Sequence, residues 1–201
     1  MGYESIDLGK AEMWATLTGP PEPFVTLIGW LEGNNRLDLV KKINQSSAIW
    51  NTVDANEVIR KFNIACVRYV IGITKIMQRT SVPDYWDQVQ GVCRRCVDAL
   101  NGIGHLGSVA FDASTISTNI SHMHRTVKAF THAGHMYVGH SGAVHAALYC
   151  AMYAASKDTP NATQYAVNAI TAAGILEYAA AQEELIEIFI NIMLTENANK
   201  G

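Results

Sequence analysis

Apolar residues return at steps of three and four along most of this chain, the spacing that lines one face of an α-helix. The first twenty residues are mixed and run into Gly19-Pro20-Pro21-Glu22-Pro23, a stretch that cannot lie within a helix. An apolar segment at 24–31 ends at Gly33-Asn34-Asn35, and Leu37, Val40 and Ile43 mark a second short helix. Asp54 with Glu57 three positions on is a D-x-x-E capping box. After it, Val58, Phe62, Cys66, Tyr69, Ile73 and Ile76 predict an amphipathic helix that stops before Pro83. Trp86, Val89, Cys93, Cys96 and Leu100 predict the next, over 85–100, closed by Asn101-Gly102.

From 107 to 130 the steps of four and three continue without a miss through Val109, Ala113, Ile116, Ile120, Met123, Val127 and Phe130. The opposite face there is Ser, Thr and Asn, an uncharged polar surface. The segment 142–155 is apolar all round, which suits a central helix buried on most sides. Gly139-His140-Ser141-Gly142 before it reads as a turn capped by Ser141. Thr159 as N-cap with Pro160 at N1 opens a long helical pattern to about 194, which Gly174 bends or splits. No strand-like alternation, internal repeat or low-complexity linker interrupts this order. The expected fold is all-α: a single-domain helical bundle over 54–195, a helical N-terminal cap over 1–53, and a disordered tail over 196–201.

Composition narrows the function classes. With 201 residues, 49% of them hydrophobic and 16% charged, the chain can bury a sizeable core and is not intrinsically disordered. A net charge of −3 lacks the broad basic footprint of a general nucleic-acid binder. No apolar run reaches the roughly 18–20 residues that span a membrane. Residues 1–6 match neither a secretory signal nor a myristoylation motif, and the expected location is cytoplasmic. Charge is unevenly spread: nothing from 129 to 156 carries a formal charge apart from His. A surface so poor in charge is internal or covered, so a protein partner and homo-oligomerisation are expected.

The chemistry-bearing residues form clusters rather than motifs. All seven histidines, at 105, 122, 124, 132, 135, 140 and 145, fall within one short window. His132 and His135 share a helical face, and a turn over 134–142 would bring His140 back toward them. Without a Glu-x-x-His or His-Glu-x-x-His pattern, polar interface or satisfied core histidines are preferred to a metal or acid/base site. His132, His135 and His140 are therefore the expected partner-binding residues, with no catalytic residue, metal or cofactor. Cys93-Arg94-Arg95-Cys96 matches C-x-x-C, but its place mid-helix on the apolar face, with Cys66 and Cys150 isolated, reads as core thiols. Glu183, Glu184 and Glu187 read as a solvated face.

Two resemblances add to this. Arg125 and His132, six residues apart, resemble the Arg-x(4–6)-His signature of all-helical HEPN ribonucleases. That would imply Arg125 on a scissile phosphate and His132 in proton transfer. Thr126 departs from the strongly polar residue usual after that Arg. The stretch HMYVGHSGAVHAALYCAMYAA at 135–155, with the helices before it, resembles over 58–178 a helical family of bacterial immunity proteins from polymorphic toxin systems. The Ser/Thr-rich 114–121 stretch departs from that family's more alanine-rich pattern. This second resemblance implies a non-enzymatic protein that binds and blocks a macromolecular partner, a role shared by virus-encoded inhibitors of defence proteins. Against it stand a His-cluster enzyme (a metal-dependent hydrolase or HEPN-like ribonuclease) and a structural subunit of a larger assembly.

Overall fold

The computed structural model describes residues 19–77, 83–101, 125 and 138–200, with backbone alone at 83–86, 88 and 138–141. The all-α expectation holds: seven α-helices and one 3₁₀ turn, with no strand among the described residues. In order they are α1 (Glu22–Gly33), α2 (Leu37–Asn44), the 3₁₀ turn (Ser47–Ile49), α3 (Ala55–Met77), α4 (Pro83–Leu100), α5 (Val138–Ala155), α6 (Thr159–Ala172) and α7 (Tyr178–Ala198). No helix among the described residues is long and apolar enough to cross a membrane.

The chain divides into two compact units, with the divisions falling inside α3 and α7. The first unit takes residues 1–59 together with 189–201, so the N-terminal helices belong with the end of the last helix rather than forming a cap alone. Pro23 sits in the first turn of α1, where its missing N–H costs nothing, so the proline stretch starts this helix instead of preceding it. Phe24, Leu27 and Leu31 are fully buried, and the Phe24 ring meets Phe189 of α7 edge-on at 5.2 Å. Thr52 Oγ1 lies 2.6 Å from Asn197 Oδ1, a second tie between the start and end of the chain. Hence α7 continues to Ala198, three residues into the stretch expected as a tail, and Glu196 is buried.

In the second unit, residues 60–188, α5 packs against both α4 and α6. Small side chains permit this close approach: Ala143, Ala147, Ala151 and Ala154 of α5 and Ala162, Ala166 and Ala169 of α6 are all buried. Asp54 caps α3 as its spacing predicts, accepting from the backbone N–H of Asn56 and Glu57 at 3.0 and 3.2 Å. The buried arc of α3 includes Val58, Phe62, Cys66 and Ile73 of the expected stripe and extends beyond it over Asn63, Val67, Val70, Thr74 and Met77. At about 100° per residue, Ile76 falls at the margin of that arc and is 62% exposed. At the other end of α4, Arg60 Nη1 donates to the Leu100 carbonyl at 2.8 Å, satisfying a helix C-terminus.

Two helix boundaries differ from expectation for local reasons, and a third falls where expected. Gly139 to Gly142 do not form a turn; α5 already runs from Val138. The N-cap of α6 is Asp158, whose carboxylate accepts from the backbone N–H of Asn161, which moves Pro160 one place inward. Gly174 splits the long C-terminal pattern: at φ +69° it closes α6, its N–H donating to Thr171 O and that of Ile175 to Ile170 O.

The same left-handed closure ends α5 without a glycine. Lys157 holds φ +61°, its N–H donating to Ala154 O and that of Asp158 to Tyr153 O at 2.9 Å. A side chain in this region costs roughly 1–2 kcal/mol that glycine does not incur. Lys157 is exposed, so Lys157→Gly removes little else. It should stabilise the protein by roughly 1 kcal/mol and raise the thermal midpoint by about 2–4 °C. An unchanged or lowered midpoint would refute this, with Lys157→Ala as the control that gains nothing.

Candidate functional site: a tyrosine ladder on a charge-free helix

Helix α5 carries no formal charge along its length, and most of its surface is used for packing. Ala143, Val144, Ala146, Ala147, Leu148, Cys150, Ala151 and Ala154 are buried. Apart from Gly142 and Ala155 near its ends, what remains accessible among its described residues is one half-exposed stripe, His145, Tyr149, Met152 and Tyr153, set by the spacing of three and four. Tyr165 of α6 lies against this stripe. Its ring stacks on Tyr149 with centroids 4.9 Å apart and a 29° tilt, and on Tyr153 at 5.4 Å and 9°. Tyr149 and Tyr153, one helical turn apart, are themselves stacked at 6.4 Å. Three phenol rings thus form one ladder across two helices, in the offset geometry that aromatic pairs prefer. Partial burial pushes the Tyr165 phenol above its ordinary range, and the neighbouring Tyr153 and Tyr149 add to the effect. Beyond the ladder, Tyr178 donates its hydroxyl to Gln164 Oε1 at 3.0 Å, joining the start of α7 to α6.

Behind the ladder lie the thiols. All four cysteines are free and fully buried. Cys93 and Cys96, on successive turns of α4, point their Sγ at Ala147 O and Ala151 O of α5, at 4.0 and 3.1 Å. Cys66 of α3 is hydrogen-bonded to the Thr163 side chain of α6. Burial pushes the thiols of Cys66, Cys93 and Cys96 up to about 12 and that of Cys150 well above the ordinary value. A redox-active cysteine needs the opposite, a thiolate stabilised near neutral pH. The C-x-x-C pair lies in the packed core, as its position on the apolar face predicts. Among the described residues, no group of three or more His, Cys, Asp or Glu side chains is placed to hold a metal ion.

The partner-binding residues expected from sequence are only partly placed. His132 and His135 lie outside the described residues, as does the 107–130 helix apart from Arg125, which is helical and exposed. His140 falls in the first turn of α5, so 138–142 are helix, and the rest of the expected 134–142 turn lies outside the described residues. His145, five residues on in the same helix, joins the half-exposed stripe beside Tyr149. Of the expected solvated face, Glu183 and Glu184 are exposed and Glu187 is half-buried, and Glu184 adds to the burial that raises the Tyr69 phenol.

Sequence reasoning missed the ladder. The i, i+4 pair Tyr149 and Tyr153 is legible in the chain, but its spacing alone does not set it apart from the apolar residues around it. Tyr165 lies on another helix, and no spacing rule links it to them. Compared with family models, with curated proteins and with solved structures, the chain matches none.

Proposed function

We propose that this chain is a non-enzymatic binding protein that neutralises a macromolecular partner by occluding it, in the manner of an immunity protein or a virus-encoded inhibitor. One observation carries the reading: a half-exposed ladder of three tyrosines across two helices without formal charge. The centres of protein interfaces are enriched in Tyr and depleted of charged residues, because a ring buries much area at little entropic cost while its hydroxyl keeps a polar partner. The partner in this reading is a protein, and the same face would serve contact between copies of the chain. The expected contact residues His132, His135 and His140 lie in the same charge-free stretch of sequence. The location expected for such an inhibitor is the cytoplasm.

A photo-reactive phenylalanine analogue at Met152, inside the stripe, tests this in the cells that make the protein. Illumination should give one adduct of defined mass at Met152 and none from the same analogue at exposed Lys200. Tyr149→Ser with Tyr165→Ser should abolish it while the helical circular dichroism persists. No adduct at Met152, or equal labelling at Lys200, refutes the reading. A stoichiometric metal in native mass spectra of untagged protein would instead favour an enzyme.

A further inference from the structure

The ladder has a chemistry of its own, independent of any partner. Two of its rings, from different helices, lie within contact of each other, and both are half-buried, open to a small oxidant on one side. The thiols, ordinarily the more easily oxidised groups, are all shut in the core and held in the unreactive protonated form by burial. Stacking of Tyr165 on Tyr149 and Tyr153 together means that an oxidising equivalent reaching any rung finds a second phenol beside it.

We propose that Tyr165 is the hub of an oxidative modification site, coupling to Tyr149 to form an intramolecular dityrosine bridge between α6 and α5. The co-reactant is hydrogen peroxide acting through a haem peroxidase. Each phenol loses one electron and one proton, giving two phenoxyl radicals. These join through a carbon ortho to each oxygen; one C–C bond forms, and each of those carbons releases a proton as the ring regains aromaticity and its oxygen is reprotonated. In sum two C–H bonds break, the phenol O–H groups are restored, and the two electrons and two protons reduce one peroxide to two waters. Tyr149 is the preferred partner because it is the nearest ring, at 4.9 Å against 5.4 Å for Tyr153. Rotation about the side-chain torsions brings the ortho carbons together from the stacked arrangement. The product ties together two helices that already pack, so it locks the α5–α6 pair without rearranging it.

The experiment treats the full chain, dilute and free of disulfides, with peroxide and peroxidase. Intact mass should fall by two hydrogens per chain with the protein still monomeric on a denaturing gel, and the blue dityrosine emission should appear. Methionine oxidation, which adds oxygen, is separated by mass. Trypsin should release a linked pair, residues 129–157 joined to 158–200. Tyr165→Phe, which keeps the ring and the packing, should lower the bridge to background. Tyr149→Phe should lower it severalfold, and Tyr178→Phe should leave it unchanged. A bridge formed equally well in Tyr165→Phe, bridging only between chains, or no linked peptide from the unsubstituted protein would each overturn the proposal.

Discussion

Truncating Phe189 to alanine is expected to cost about 3–5 kcal/mol, the range for removing a fully buried aromatic ring. The ring is inaccessible to solvent and meets Phe24 edge-on at 5.2 Å, a geometry worth a further fraction of a kcal/mol beyond area alone. It also couples residues far apart in sequence, since the first unit is built from 1–59 and 189–201. Because a domain of this size is held by only about 5–15 kcal/mol, the loss would leave that unit marginal. The denaturant midpoint of Phe189→Ala should fall accordingly, with Phe24→Ala close behind. Val25, the neighbour of Phe24, is 49% exposed, and Val25→Ala should cost less than about 0.5 kcal/mol. Equal effects at Val25 and Phe189 would show that the two ends of the chain do not share a core.

Stability should also collapse in alkali. The thiols of Cys66, Cys93 and Cys96 rise in the fold from an ordinary value of 9.0 to about 12, because burial penalises the thiolate. A group whose folded value is raised contributes stability that is intact below its unfolded value and disappears as pH climbs toward the folded one. Between pH 9 and 12 the unfolded chain sheds thiol protons that the folded chain retains, so each step of pH favours unfolding. Each such thiol contributes a slope of roughly 1.4 kcal/mol per pH unit in that window. Urea midpoints measured from pH 8 upward should be flat to about pH 9 and then fall steeply. The double variant Cys93→Ala with Cys96→Ala loses two titrating groups and little volume, so its decline should be visibly shallower. Parallel curves for the two proteins would mean that these thiols are hydrated in solution.

Much of the fold is legible without coordinates because it rests on local rules. The steps of three and four along 58–77 and 85–100, the Asp54 cap and the glycine at 174 each act over one or two helical turns, and each appears as expected. The misreadings are local as well. Gly139 and Gly142, taken as turn formers, lie in helix, because α5 is packed on two sides and such packing overrides a weak local preference. Ile76 keeps helical spacing yet is exposed, since periodicity fixes a face only to within the width of the buried arc.

Fold class, the position of most helices, the burial of the four cysteines and the absence of charge along 129–156 can all be read from the chain alone. Those follow from side-chain chemistry and from backbone geometry that repeats every few residues. Packing between helices is what makes residues 189–198 complete the N-terminal unit and Tyr165 close a ladder with Tyr149 and Tyr153. It also decided that Cys93 and Cys96 face the carbonyls of Ala147 and Ala151. Each of these joins helices whose spacing in sequence carries no period. Which faces meet is set by the packing of many side chains at once, a property of the folded chain that no single segment contains.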